Sequence, residues 1–213
     1  MYIDFGGNND PAEDVMQVER MEPERLRAVI VSAQAGDSSA YRELLDTYGR
    51  RLYGFFLRAT GSHHDAEDLL GEVMLRLVSR LDKYDDRGRF EPWLFRIAAN
   101  MVRDRIRRVK ANPAPASLSI DSECGASRAD QLLADTGQVD EGLLAEEASG
   151  RLQRALTKLD DTTRDMILVR HFGQMNYKEI ADLFQCPLGT ALARVHRGLK
   201  ALRRMMSKDY ESD

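Results

Sequence analysis

The chain has 213 residues, of which 43% are hydrophobic and 31% charged, with 35 Asp and Glu against 31 Lys and Arg. This length predicts one or two domains with heavily charged surfaces, and the absence of an apolar run of about 18 residues argues against insertion into a membrane. Two cysteines and four histidines form no disulfide framework and no metal-ligand pattern, so we expect no metal, no cofactor and a reducing, cytoplasmic setting.

The first 22 residues are acidic, and we expect them to form a mobile arm. They lack the basic start and the apolar stretch of a secretion signal. Residues 111–140 are acidic too, whereas basic residues collect in 96–110 and 194–208. This separation of charge predicts one or more polyanion-binding faces on an otherwise acidic molecule.

Residues 23–110 are predicted to form a small all-α domain, because apolar residues recur there at helical spacing. We expect helices over 24–35, 41–59, 65–81 and 90–109, with Pro23 in the first turn of the first helix. In the 65–81 helix an apolar stripe extends from Ala66 through Val78 to Leu81. The opposite face carries Asp65, Glu67, Asp68, Glu72 and Arg76.

The predicted helix from residue 90 begins with aromatic residues and ends with basic ones. Trp93 lies on a broad apolar stripe, so we expect it to pack in the core. Off the stripe, polar residues should face solvent or nucleic acid, because arginines can hold phosphates and a short amide can pair with a base edge. These residues are Arg96, Asn100, Arg103, Arg107 and Arg108. The preceding loop can complete a groove for single-stranded bases through Lys83, Tyr84, Arg87 and Arg89.

Residues 111–140 are rich in Pro, Ala, Ser, Gly and Asp, which predicts a flexible acidic linker, at most briefly helical around 131–134. Residues 141–213 then predict a second small helical domain, with helices over 141–159, 162–172, 177–184 and 188–206. No strand pattern is convincing, so the predicted fold class is all-α, with two domains joined by the linker.

The stretch YKEIADLFQCPLGTALARVHRGLKAL, residues 177–202, has the order of a helix-turn-helix. Ile180 and Leu183 give the first helix an apolar face, Ala181 is small enough for a close helix approach, and Pro187 interrupts the chain. The basic side chains of the next helix lie on or near its outer surface, where they can meet DNA in the major groove. The alternative is a basic amphipathic helix in an ordinary bundle.

Two segments, DAEDLLGEVMLRLVSRLDKYDDRGRFEPWLFRIAANMVRDRIRR and YKEIADLFQCPLGTALARVHRGLKALRR, carry a family resemblance. In this order and spacing they resemble a bacterial RNA polymerase sigma factor of the sigma-70 family. The chain is most similar to the extracytoplasmic-function (ECF) group, which has only the two core domains. The resemblance covers residues 24–110 and 141–206, and it implies a protein that directs transcription initiation without catalysing a reaction.

The resemblance also implies partners and roles. The acidic face at Asp65, Glu67, Asp68, Glu72 and Arg76 would dock on the β′ clamp helices of core RNA polymerase, with a second contact to the β subunit. The −10 promoter element would be recognised and opened by Lys83, Tyr84, Arg87, Arg89, Arg96, Asn100, Arg103 and Arg107. The −35 element would be read as a duplex by Arg170, Thr190, Leu192, Ala193, Arg194, His196, Arg197 and Lys200. An anti-sigma factor often binds such proteins, and the groove between the domains is the expected surface.

Two departures from the family pattern lie in the helix-turn-helix. Leu192 and Ala193 stand where this group often has a Lys or Arg followed by a Ser, so two polar donors are missing. Either Leu192 contacts a thymine methyl group, or −35 recognition relies on Arg194 and its neighbours. Gln185 stands in the turn where Gly is common, and because Gly readily adopts positive φ, we expect the helix to end differently here.

Two other classes of protein are alternatives to a sigma factor. A self-sufficient helix-turn-helix regulator would explain the second domain, but it leaves the acidic face and the basic helix of the first domain without a use. A helical enzyme using His63, His64 and Asp65 is disfavoured, because adjacent histidines point to different faces of a helix.

Overall fold

The computed structural model describes residues 21–111 and 139–210, with side-chain surroundings described for 21–111 and 148–207. The predicted short helix at 131–134 and most of the predicted acidic arm and linker lie outside these ranges. Within them, no helix is both long and apolar enough to cross a membrane.

The first unit consists of four helices, as predicted: α1 (Pro23–Gln34), α2 (Ser38–Thr60), α3 (His63–Leu81) and α4 (Phe90–Ala111). Helix α2 begins three residues earlier than predicted, because the Asp37 side chain caps it by accepting a hydrogen bond from Ser39 N at 2.8 Å. Ser62 caps α3 in the same way through Asp65 N at 3.2 Å. Capping by polar residues therefore sets boundaries that the apolar pattern alone left open.

The core of the first unit is aromatic. The rings of Tyr48 and Phe90 lie 5.4 Å apart between centroids, and those of Phe55 and Phe95 lie 5.7 Å apart. All four residues are almost completely buried. The prediction that Val78 belongs to the inward stripe of α3 was wrong, since its side chain is 51% exposed.

The second unit is also helical: α5 (Val139–Thr157), α6 (Asp161–Phe172), α7 (Tyr177–Phe184) and α8 (Leu188–Tyr210). Together with the absence of strands from the described ranges, these helices confirm the all-α prediction. Helix α7 begins with a capping box, in which Asn176 and Glu179 exchange side-chain to backbone hydrogen bonds at 2.9 and 2.8 Å. Helices α7 and α8 form the predicted helix-turn-helix.

The turn between α7 and α8 closes in the left-handed conformation despite carrying Gln185. The φ of Gln185 is 51° and its ψ is 48°, and Cys186 N donates to Ala181 O at 3.0 Å. The expectation that this helix would end differently was therefore wrong. The backbone hydrogen bonds from Gln185 N and Cys186 N to Ala181 O close the turn with a side-chain-bearing residue in a backbone region where Gly is favoured.

Gln185→Gly is expected to stabilise the second unit by about 1 kcal/mol, because Gly adopts positive φ without a clash at Cβ. The free energy of unfolding from urea titration measures this gain. Gln185→Ala is the matched control, since it removes the same polar group but keeps Cβ, and it should bring no comparable gain. Equal effects of the two substitutions would contradict the conformational explanation.

The two units pack against each other, which the sequence did not indicate. Arg51, only 7% exposed, pairs with Glu91 at 2.9 Å and donates to the carbonyl oxygen of Phe172 across the interface. The rings of Phe55 and Phe172 lie 6.2 Å apart between centroids. Arg58 donates to Ser149 O at 2.8 Å. Helix α2 is thus joined to α5 and α6 by both apolar and hydrogen-bonded contacts.

Candidate functional site

One exposed face of α3 combines carboxylates with apolar side chains. Asp68 and Glu72 have side chains 52% and 45% exposed, and Glu67 is also exposed. At helical spacing, Leu75 continues this face and is 73% exposed. An exposed surface of this mixed character is typical of a protein-binding site. The sequence predicted the carboxylates but missed Leu75, which lies outside the buried stripe and is not charged.

The polar residues of this face already have partners within the chain. Glu72 accepts from Arg76 at 2.6 Å, and Asp68 lies 3.7 Å from His64 Nε2. Asp65 pairs with Arg105 of α4, a residue that the sequence analysis did not single out. The predicted docking residues therefore lie together, and a partner would have to compete with intramolecular ion pairs at an exposed surface. Such pairs are weak competitors because solvent screens them.

The loop before α4 is anchored by Tyr84. Its ring packs against Trp93 and Phe90, with centroid distances of 4.5 and 5.6 Å. Burial and the neighbouring Asp86 carboxylate raise the pKa of the Tyr84 hydroxyl. Gln34 fixes the loop backbone by donating to Tyr84 O at 2.8 Å. Trp93 is half-buried in this aromatic cluster, which agrees with the predicted role in packing.

The cations of this loop differ in their surroundings. Lys83 and Arg87 are exposed, and Arg87 pairs with Asp85 at 2.8 Å near the tip of the loop. Arg89, in contrast, forms an ion pair with Glu179 of α7 in the second unit. The loop therefore offers two accessible cations, while a third is engaged by the other domain.

On α4, the residues Arg96, Asn100, Arg103 and Arg107 follow one another at spacings of three and four, which places them on one face of the helix. Arg96, Asn100 and Arg107 are exposed. Arg103 is not directed to solvent as predicted: its guanidinium lies 4.8 Å from the centre of the Phe184 ring and donates to Leu183 O at 3.3 Å. The reason is the contact between units, which no local pattern encodes.

The outer surface of α8 exposes Thr190, Leu192, His196, Arg197 and Lys200, while Ala193 and Arg194 are half-buried. Arg194 is tied to Asp160 at 3.1 Å, and Asp160 also caps α6 by accepting from Thr163 N at 3.0 Å. Arg194 is thus part of the framework that holds α8 against α6.

Arg170 is connected to α8 by ring contacts through Tyr177, which the sequence did not predict. Its guanidinium is 5.4 Å from the centre of the Tyr177 ring, and Tyr177 in turn stacks on His196 at 6.1 Å between centroids. Arg170 also donates to Met175 O at 3.0 Å. Tyr177 therefore positions His196 on the exposed face of α8.

A buried carboxyl lies where α6 meets the first unit. Asp165 is 4% exposed, and its Oδ1 has no hydrogen-bond partner among the described residues. Burial raises the pKa of Asp165 to about 7, with Asp161 and Asp160 adding to the rise and Arg164 and Arg103 opposing it. The folded chain therefore binds this proton more tightly than the unfolded chain, whose carboxyl has an ordinary pKa of 3.8.

Because the folded-state pKa is raised, stability is expected to fall as pH rises from about 4 to about 7. Asp165→Asn removes the buried charge and should stabilise the protein by about 1–3 kcal/mol at pH 8, with a smaller gain at pH 5. Thermal unfolding at the two pH values checks this. Asp182→Asn, at an exposed site on α7, is the control and should show no such difference. A loss of stability at pH 8 in Asp165→Asn would contradict the prediction.

Among the described residues, no group of three or more His, Cys, Asp or Glu side chains is arranged to hold a metal ion. The described surface instead presents three features: the acidic and apolar face of α3, the basic face of α4 with its loop, and the outer face of α8. The first suits a protein partner, and the other two suit a polyanion.

Comparisons with known proteins agree with this arrangement. Residues 44–112 match the family model of sigma-70 region 2, and residues 149–202 match that of sigma-70 region 4. The ECF RNA polymerase sigma factor SigW of Bacillus subtilis is 30% identical over 193 residues, which cover 89% of this chain and 98% of that protein. The ECF RNA polymerase sigma-E factor of Escherichia coli K12 is 25% identical, with 83% and 91% covered.

Two solved structures share the fold. CnrH, in complex with the cytosolic domain of CnrY, matches with a TM-score of 0.55 at 20% identity, covering 86% of this chain and 97% of that one. The sigma factor RpoE of Bartonella quintana, in complex with the anti-sigma factor NepR, matches with a TM-score of 0.54 at 19% identity, covering 86% and 95%.

Proposed function

This chain belongs to the sigma-70 family, in its ECF group of RNA polymerase sigma factors, and from this we propose that it binds core RNA polymerase and directs promoter-specific initiation. The observation that carries the proposal is the presence of three distinct faces in one chain: one suited to a protein and two to a polyanion. We propose that the chain itself catalyses no reaction and acts in the cytoplasm.

Polymerase binding is assigned to α3. Its carboxylates at Glu67 and Asp68 are exposed beside Leu75, so a basic partner surface with an apolar centre would match it. The clamp helices of the β′ subunit are the expected partner, with a second contact to the β subunit. This assignment covers the predicted set Asp65, Glu67, Asp68, Glu72 and Arg76.

Promoter binding is assigned to the two basic surfaces. The loop and α4 would bind and open the −10 element, because accessible cations lie beside a half-buried aromatic cluster at Tyr84 and Trp93. The outer face of α8 would read the −35 element as a duplex. The proposed domain organisation of the chain is an arm (1–22), a region 2 domain (23–110), a linker (111–140) and a region 4 domain (141–213).

Initiation would require the two units to separate. Arg89 and Arg103, both assigned to the −10 element, are bound to Glu179 and to Phe184 of the other unit. The 27 residues between the described units can reach about 90 Å when extended. That exceeds two turns of B-DNA, about 70 Å. Polymerase binding would thus replace contacts between the units with contacts to itself and to DNA.

Separation of the two units can be measured by fluorescence energy transfer between two dyes. The dyes are attached to cysteines introduced by Glu24→Cys and Lys178→Cys, after both native cysteines are replaced by serine. These positions are exposed, one in each unit. Transfer in the free chain is expected to fall when core polymerase is added. Unchanged transfer in a complex that initiates transcription would contradict the idea.

The proposed function is tested by transcription with purified core polymerase on a genomic library, followed by mapping of start sites. We expect the full chain to produce start sites that share two upstream elements, and to join core polymerase stoichiometrically on cosedimentation. If the free chain binds duplex promoters tightly and does not join core polymerase, a self-sufficient regulator is the better explanation.

Both solved structures described above are complexes with a protein partner, and in the RpoE complex that partner is the anti-sigma factor NepR. We propose that this chain is likewise held inactive by an anti-sigma factor. The groove between the units is the expected binding surface, since it contains residues that DNA would otherwise bind, among them Arg89 and Arg103.

A further inference from the structure

Two large apolar side chains are exposed at the N-terminal end of α8. Leu188 is 54% exposed and Leu192 is 42% exposed, and they lie four residues apart on neighbouring turns. The apolar residues that hold α8 in place are different ones: Ala191, Val195 and Leu202 are buried. The two leucines are therefore not part of the buried core, and together they form an apolar patch that is accessible to a partner.

The surroundings of the leucines indicate the chemistry of that partner. The next residue at four-residue spacing is His196, positioned by Tyr177, and it is followed by exposed Arg197 and Lys200. No acidic residue lies between Leu188 and Lys200. Along α8, an apolar patch at the N-terminal end is followed by cations. This arrangement suits a polyanion that presents apolar groups to the N-terminal end and negative charges to the cations.

Duplex DNA in the major groove has these properties. Phosphates would meet the cations, while the N-terminal residues of a recognition helix reach base edges. The only strongly apolar group that an unmodified base pair presents there is the C5-methyl of thymine. A leucine cannot donate or accept a hydrogen bond, so placing it on a guanine or cytosine edge would leave polar groups unpaired, which is unfavourable.

We propose that Leu188 and Leu192 are specificity-determining residues that contact thymine methyl groups in the −35 element. This inference rests on the proposed function of α8 and adds the chemical basis of its selectivity. Recognition at these positions is by methyl contact, while His196, Arg197 and Lys200 supply the remaining base and phosphate contacts.

The test exploits the fact that deoxyuridine differs from thymidine only by the methyl group. Holoenzyme made with the full chain is first used to map promoters. Each thymine of the −35 element is then replaced singly by deoxyuridine, and holoenzyme binding is measured. Loss of one buried methyl contact should weaken binding about fourfold at one or two positions. At a cytosine next to those positions, 5-methylcytosine should strengthen binding where the added methyl reaches a leucine.

Substitution of the leucines identifies the contact. Leu192→Ala should bind the thymine promoter more weakly and become insensitive to deoxyuridine at the matching position, and Leu188→Ala should do so at a neighbouring one. Leu45→Ala is the control, because Leu45 is 41% exposed but lies on α2, away from the helix-turn-helix. The deoxyuridine response of Leu45→Ala should equal that of the wild type.

Three results would overturn the inference. The first is wild-type holoenzyme that binds thymine and deoxyuridine promoters equally. The second is Leu192→Ala and Leu188→Ala variants that retain the full deoxyuridine response. The third is a Leu192→Ala variant that binds core polymerase more weakly in the absence of DNA but keeps the full deoxyuridine response. This result would assign the leucines to a contact with protein. In each case specific start sites would still support the proposed function, whereas a complete lack of specific start sites would reject the proposed function and this inference together.

Discussion

The double variant Glu67→Lys/Asp68→Lys is expected to bind core RNA polymerase at least roughly 100-fold more weakly than the wild type. Both side chains are exposed on α3. If they face a basic surface of polymerase, reversal of their charge replaces attraction with repulsion, and like charges brought together at an interface cost several kcal/mol. Each 1.4 kcal/mol corresponds to a factor of ten in affinity. Start-site selection should be lost in parallel.

These two positions are chosen because reversing them should disturb the fold little. Asp65 and Glu72 are avoided because they form the shorter ion pairs, with Arg105 and Arg76. The contacts of Asp68 with His64 and Arg105 are longer, at 3.7 and 3.9 Å, and the Asp68 side chain is 52% exposed. The control is Glu24→Lys/Asp46→Lys, which changes the net charge equally at exposed positions of α1 and α2. It should retain binding to within a few-fold. Fluorescence titration with labelled core polymerase measures both, and circular dichroism confirms that the variants are folded.

If Glu67→Lys/Asp68→Lys bound core polymerase as tightly as the wild type, α3 would not be the docking surface. A decrease in affinity with rising salt should accompany wild-type binding, because exposed charges are screened over about 8–10 Å at ionic strengths near 0.1–0.15 M. The variant should lose most of this salt dependence.

The sequence predicted the family, the fold class and the number of helices in each unit. This succeeded because the apolar residues keep a helical period through both units, and because the motifs around Asp65 and Ile180 stand in order. Exact helix ends were missed where a polar cap decides them, as Asp37 does for α2. The apolar pattern does not determine the last half-turn at each end of a helix, so helix ends predicted from it are shifted by a few residues.

Contacts between residues distant in the sequence could not be predicted. Arg51 stands at helical spacing from Tyr48 and Phe55, but the sequence does not show what could pair with a cation there. It is almost fully buried, because Glu91 and the Phe172 carbonyl oxygen supply partners 40 and 121 residues away. Arg103 was predicted to face solvent or DNA, but it lies against Phe184. In both cases a cation has a partner in the other unit, and no local period records this.

The same contacts explain how one surface can serve two states. In the described arrangement Arg89 and Arg103 contribute to packing between the units, and in the proposed complex they would contact DNA. Arginine suits both roles, since its planar guanidinium can stack on an aromatic ring, pair with a carboxylate or hold a phosphate. In the proposed exchange between these partners, the two units would separate and each would keep its fold.

The position of α8, and with it the proposed recognition of the −35 element, depends on a glycine. A Cβ placed on Gly198 would lie 2.5 Å from Thr163 Cγ2 and 2.7 Å from Ile167 Cδ1 of α6. Gly198→Leu is therefore expected to destabilise the second unit by about 3 kcal/mol or more, because an overpacked interface has to shift both helices. Small domains have little stability in reserve, so much of this unit should unfold at 37 °C and initiation at −35-dependent promoters should be lost.

A smaller change separates this clash from a general effect of side chains in helices. Gly198→Ala should destabilise by about 1–2 kcal/mol, and adding Thr163→Ser should restore part of the loss, since serine lacks the methyl group in contact and keeps the hydroxyl. At Gly71 of α3 a Cβ meets no atom within 4 Å, so Gly71→Ala should stabilise by about 1 kcal/mol through helix propensity. Urea unfolding of the three variants measures these differences. If Gly198→Ala were as stabilising as Gly71→Ala, α6 and α8 would not pack as closely as described, and the basic face of α8 would lack its fixed position.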